Sequence, residues 1–269
     1  MSLFRYRVKP GSKVRLKDWD PEDKRGVPAS REARVERINE LSAEIDKLQD
    51  LLYASHEQGV LIVLQGMDTA GKDGTIRHVF KTIDPLGVRA VPFKAPTPEE
   101  LAHDFLWRVH HQVPGKGEMV IFNRSHYEDV LVPPVHGWIT ASETKRRYER
   151  IVEFERLLRD NATLVLKFFL HISKDEQRQR LQERIDVPEK RWKFNPSDLE
   201  ERVLWKQYMK AYEGALEATS TALAPWYVIP ANSKTTRDLI VSQILVEQLR
   251  ELKLTYPKPK IKLDVIVVE

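Results

Sequence analysis

Residues 60–80, VLIVLQGMDTAGKDGTIRHVF, constrain this chain more than any other stretch. Val60 to Leu64 read as a fully buried strand, and Gly66 to Lys72 then has the spacing G-x-x-x-x-G-K of a phosphate-binding loop that opens a helix. Glycines at 66, 71 and 74 let the backbone curl so that successive N–H groups and the helix N-terminus point at one anion, and Lys72 adds a positive charge. A tight turn with polar residues facing water is the plainer reading. The order strand, loop, helix favours phosphate. The expected contacts are Gly66, Met67, Thr69, Ala70, Gly71, Lys72, Asp73, Gly74, Thr75 and Arg77.

Such loops usually place Ser or Thr after the lysine, for the magnesium that accompanies phosphates; here that position is Asp73, with Thr75 two further on. The loop also carries Asp68. A carboxylate beside bound phosphates repels them unless a divalent cation sits between, so Asp68 predicts a metal.

At 269 residues the chain has room for one large α/β domain or two small ones. Its formal net charge of +4 suits an anionic substrate if clustered, and is too small to demand nucleic acid. With no cysteine, neither disulfides, nor a thiolate nucleophile, nor a Cys-ligated metal is available. The first residues mix charges throughout and no apolar run reaches membrane-spanning length, so a cytoplasmic protein without a membrane partner is expected.

Residues 1–28 read as a turn-rich arm lying on the main domain. From 29 to 56, Val35, Ile38, Leu41, Ile45, Leu48 and Leu51 mark one face of a long amphipathic helix, to pack on the domain or on a second subunit. Further strands are expected at 88–93, 119–122, 163–172 (interrupted only by Lys167) and 226–229. Helices are expected from Thr97, which with Glu100 forms a capping box, and over 142–159, 174–185, 197–221 and 234–253. Five apolar strands separated by helices argue for an α/β fold with one parallel sheet covered on both faces. The domain over 29–255 carries a lid at about 174–197, and a tail over 256–269 ends in VIVV, an edge strand or an exchanged segment.

Asn123 and Arg124 should emerge at the C-terminal end of the 119–122 strand, where open α/β sheets bind ligands. Arg124 there can neutralise charge on a transferring phosphoryl group, and Glu128 and Asp129 offer carboxylates for a second metal contact or for orienting an acceptor. Acids favouring a helix N-terminus are the alternative. Between 178 and 193, six cations (Arg178, Arg180, Arg184, Lys190, Arg191, Lys193) face three acids, as in a lid that brings arginines over phosphates and excludes water. A solvated helix face is the plain alternative. His126 could carry a phosphoryl group, but orienting Tyr127 or capping suits it better; Trp107 and Trp205 read as core.

Together GMDTAGKDGTIRHVF, FNRSHYEDVLV and KRWKF resemble the family-2 polyphosphate kinases over about residues 30–250. The resemblance implies a three-layer αβα P-loop kinase fold and magnesium-dependent transfer, with manganese as a substitute, of phosphate between inorganic polyphosphate and adenine or guanine nucleotides. Asp68 would bind metal and Lys72 hold phosphate. Arg124 would follow the second motif strand, and Arg178 and Arg191 would be lid or channel arginines, beside Arg184, Lys190 and Lys193. Many members read FDRSWYN where this chain reads FNRSHYED, so Asn123 replaces an acid and its metal duty moves towards Glu128 or Asp129. The form looks like the branch accepting both AMP and ADP, and implies a homodimer or homotetramer. The alternatives are an ATP-dependent nucleoside monophosphate kinase, a nucleotide-binding module that has lost catalysis, and a nucleic-acid binder, which no reader motif supports.

Overall fold

Five parallel strands in the order β2-β3-β1-β4-β5 form the single sheet of the computed structural model, which describes residues 3–259. The strands are β1 (Gly59–Gln65), β2 (Val88–Pro92), β3 (Met119–Asn123), β4 (Thr163–His171) and β5 (Trp226–Pro230). The helices are α1 (Arg31–Ser55), α2 (Lys72–Val79), α3 (Pro98–Leu101), α4 (Trp107–His110), α5 (Val132–Val135), α6 (Ala141–Asp160), α7 (Lys174–Asp186), α8 (Ser197–Val203), α9 (Trp205–Thr219) and α10 (Lys234–Glu251). The α/β class and the parallel sheet are as the sequence implies. Alternate residues of the central strands enter two separate cores. Val60, Ile62 and Leu64 pack with α1 and α10, whereas Leu61 and Val63 pack with α6 and α9.

Ile38, Leu41, Ile45 and Leu52 of α1 are buried, and α1 packs along α10. Its apolar face is therefore used within the chain and gives no argument for a second subunit. The arm lies on β5 and α9: Val8 N donates to Trp226 O at 2.8 Å and Leu16 N to Glu213 at 2.7 Å. The capping box at Thr97 and Glu100 is formed. The single helix expected over 197–221 is instead broken at Leu204, whose ψ of 15° ends α8. The two pieces serve different surfaces: α8 buries nothing, while α9 buries Tyr208, Tyr212, Ala215 and Leu216. No glycine or proline marks that break. The VIVV tail lies outside the described residues.

Lys167, the one charge in β4, is fully buried. Its ammonium donates to Glu155 Oε2 (2.6 Å), Thr219 O (2.8 Å) and Tyr127 OH (2.9 Å), and Tyr127 OH donates to Glu155 Oε1 (2.7 Å). This network fixes the turn after β3 from below. Glu155→Ala leaves a buried ammonium without its counter-charge and should cost about 3–5 kcal/mol, read by urea denaturation. A loss under about 1 kcal/mol would show that water replaces the carboxylate.

Candidate functional site

The loop after β1 is built on backbone that only glycine takes without strain. Gly66 has φ +153° and a Cβ there would stand 2.7 Å from Leu170 O; Gly71 has φ +104° and its Cβ would stand 1.8 Å from Arg237 Nη1. Thr75 N then donates to Gly71 O at 2.9 Å, starting α2. Lys72 is buried and folds back across the loop, donating to Gly66 O at 2.7 Å and Met67 O at 3.3 Å. Burial, and next the nearby Arg124, push its pKa down to about 8. Asp73 in the first turn of α2 and Arg77 in its last are both exposed, while Thr75 is buried and donates to Asp238 at 3.3 Å.

In register, Asn123 lies opposite Leu64, so the residue after it emerges beside the loop. Arg124 sits there with φ +63°, its N–H donating to Leu64 O at 3.1 Å. Its guanidinium joins Asp68 (2.5 Å) to Glu128 (3.2 Å), and these two carboxylates, Glu128 first, raise its pKa. Asn123 donates to Asp73 Oδ1 at 2.7 Å, so the amide that replaces an acid is engaged with the loop's helix. Ser125 caps the following turn and holds buried Gln65. His126 is fully buried against Tyr127 and Phe154, with no hydrogen-bond partner for either ring nitrogen. It neither caps nor reaches the cleft, which leaves a phosphoryl-carrier role without access.

Asp129 lines the same cleft as Asp68 but pairs with two other arginines. It lies 3.6 Å from Arg108 Nη2 and 4.0 Å from Arg147 Nη1, and its carbonyl accepts from Arg147 at 3.0 Å. Burial lifts its pKa to about 6 against the opposing pull of those two arginines. These groups line a cleft of about 930 Å³ running from Gly66 and Asp68 to an apolar wall that includes Phe93, Phe105 and Trp138. The loop and Arg124 stand at one end, and the aromatic wall carries two cations of its own, Arg108 over Phe93 at 5.5 Å and Arg147 over Phe105 at 5.2 Å, so the cleft suits a ligand with a flat body and anionic groups.

The basic stretch 178–193 divides. Arg180 is buried under the loop, whereas Arg178 is exposed. Arg184 donates to Asp198 (2.8 Å) and Lys193 O (3.1 Å), Arg191 to Ile185 O (2.9 Å), and Lys190 pairs with Glu183. Trp192 is 78% exposed, with the Lys193 ammonium over its ring at 4.9 Å. Trp107 and Trp205 are half-buried, Trp107 stacked on His103 at 4.2 Å.

No group of three or more His, Cys, Asp or Glu able to hold a metal occurs among the described residues. Asp68 and Glu128, both on Arg124, supply two carboxylates at the loop. That donor set fits a hard cation bound by one or two carboxylates and completed by substrate phosphates.

Sequence reasoning did not find Arg108, Arg147 or Arg237. Arg108 sat in a segment read for its tryptophan, Arg147 in a charged helix, and Arg237 in the last helix, where nothing in spacing distinguishes a buried arginine from a solvated one.

Compared with known proteins, residues 28–257 match the model of the family described as Polyphosphate kinase 2. The chain is 55% identical over 267 residues to the AMP/ADP-polyphosphate phosphotransferase of Meiothermus ruber, covering 99% of this chain and 100% of that one. It is 45% identical over 271 residues to the ADP-polyphosphate phosphotransferase of Rhodopseudomonas palustris, covering 94% and 91%. The crystal structure of Polyphosphate Kinase 2 from Arthrobacter aurescens superposes with a TM-score of 0.93 at 44% identity, covering 97% of this chain and 93% of that chain.

Proposed function

Because the chain belongs to the polyphosphate kinase 2 family, we propose that it is a phosphotransferase moving phosphate between inorganic polyphosphate and adenine nucleotides, AMP to ADP and ADP to ATP. The observation that carries this reading is the loop, with buried Lys72, set against Arg124 at the mouth of a cleft large enough for a nucleotide. The aromatic wall takes the base, with the arginine pair at Asp129 lying over Phe93 and Phe105 beside it, and Arg124 at the loop takes the acceptor's phosphate. Loop N–H groups and Lys72 hold the terminal phosphates of the chain. Asp68, with Glu128, would hold a divalent cation, magnesium in this proposal, which supplies charge neutralisation between the two phosphate groups.

Transfer is in line. An acceptor phosphate oxygen bonds the terminal phosphorus of the chain as that phosphorus parts from its bridging oxygen, leaving polyphosphate one unit shorter. A nucleotide phosphate with a second pKa of about 6 is already deprotonated at neutral pH, so no general base is required. Arg124 spreads the charge that develops, and the outward-facing part of residues 174–197, without the buried Gln177, Arg180 and Leu181, acts as the lid that excludes water. Among the described residues no helix is long and apolar enough to cross a membrane. A cytoplasmic homodimer or homotetramer is part of the proposal.

The test is ATP formation from ADP, and separately ADP and ATP formation from AMP, with long-chain polyphosphate and magnesium as the only other components. Product from both acceptors supports the reading. Product from ADP alone refutes the broad acceptor range, and none from either, with ATP then serving as donor to a monophosphate, refutes polyphosphate as the donor. With the Lys72 pKa at about 8, its ammonium is protonated below that pH and lost above it. The KM for polyphosphate should thus be flat below pH 7 and rise about tenfold per pH unit beyond pH 8. A flat profile to pH 9.5 would take Lys72 out of phosphate binding.

A further inference from the structure

A loop that turns its N–H groups to an anion turns its carbonyls the other way, and buried carbonyls need donors there. Three consecutive ones find them outside the loop. Gln177 Nε2 donates to Asp68 O at 3.2 Å, Arg180 Nη1 to Thr69 O at 2.9 Å and Ala70 O at 3.1 Å, and Arg237 Nη1 to Ala70 O at 3.3 Å. Thr69 has φ +65°, a conformation that costs a β-branched residue about 1–2 kcal/mol and persists only when its surroundings hold it.

Arg180 has no N–H left for substrate, and Arg237, with each nitrogen engaged and 1% exposed, is closed off from it. Arg180 spends Nη2 on Ala231 O (2.7 Å) and Asn232 O (2.9 Å) beyond β5, and Nε on Glu176 (2.7 Å). Arg237 is neutralised by Asp238, with Nη2 at 2.6 Å and Nε at 2.8 Å from Oδ1. Asp238 is held in turn by Thr75 (3.3 Å) and His78 (2.9 Å). We propose that Arg180 and Arg237 are positioning residues: from behind, they hold the phosphate loop in its anion-ready form, tying it to α7, to the end of β5 and to α10. Arg180 thereby leaves the lid cations and acts on the opposite side of the loop from bound phosphate. The inference rests on the loop being the site of transfer.

Two variants test it. In Arg180→Lys the charge stays, but one ammonium cannot span carbonyls of two segments. A methyl in Gly74→Ala would stand 3.2 Å from Arg237 Nη2, crowding the guanidinium, while alanine favours the helix by about 1 kcal/mol over glycine. For Arg180→Lys the expected result is a cooperative melt, kcat down about a hundredfold, KM for ADP within about threefold, and faster amide exchange at 69–72 without ligand. For Gly74→Ala it is a lower kcat at an unchanged or higher Tm, a combination that a merely structural role would not give. Parental kcat and exchange in Arg180→Lys would overturn the proposal. Should that variant not fold, parental kcat in Gly74→Ala would overturn it alone. If the parent transfers no phosphate from polyphosphate, the functional reading fails, and loop exchange still decides the inference.

Discussion

Asp68→Ala is expected to lower transfer by about a thousandfold or more while leaving the protein folded. The side chain is about one-fifth exposed and its ion pair is with Arg124, which Glu128 holds independently, so the stability cost should stay within about 1 kcal/mol. The catalytic cost is of another order. Two polyanions must approach at the loop, and Asp68 is the carboxylate that would hold the cation between them; losing one preorganised charge contact in such a site costs about 10²–10³ in rate, and losing the cation with it more. Asp68→Asn separates the two roles open to this residue. The amide keeps a hydrogen bond to Arg124 but not the charge, so an inactive Asn variant indicates metal and an active one indicates only the orienting of Arg124. A magnesium titration of turnover supplies the second readout. Near-normal rates in Asp68→Ala at ordinary magnesium would remove the metal role.

What could be read from the sequence is what depends on neighbours along the chain. The apolar run at 60–64, the glycine spacing at 66–74 and the capping box at 97–100 each define local structure through a few adjacent residues, and each appears where spacing puts it. Arg124 was legible because the C-terminal end of a parallel strand has a fixed place beside the loop. Sites formed by residues far apart in sequence were not legible. Arg108 and Arg147 meet at Asp129 from two helices, and Arg237 reaches Ala70 across 167 positions. The cation cluster at 178–193 shows the same limit from the other side: charge counting grouped Arg178 with Arg180, yet adjacent faces of α7 send one to solvent and one beneath the loop.

Lys72 should show opposite signs for activity and stability. Its pKa of about 8, against 10.5 as the ordinary value, means that the folded state holds this proton less tightly than the unfolded chain does. A shift of that size disfavours the folded state by about 3 kcal/mol below pH 8, and the penalty disappears as pH rises from 8 towards 10.5. Lys72→Met removes the charge, keeps most of the buried volume and gives up two hydrogen bonds to loop carbonyls, each worth about 1 kcal/mol. The variant should therefore be as stable as the parent or more so at pH 7, and lose that advantage by pH 9.5 because the parent gains. Its transfer rate should fall at least about a hundredfold, since the ammonium is a preorganised buried charge folded across the loop. Urea denaturation at both pH values and initial rates with polyphosphate measure the two effects on one preparation. A rate loss below about tenfold would mean that the loop is not where phosphate binds, whereas a large rate loss with a matching loss of stability would mean that Lys72 holds the loop together instead of acting on the substrate.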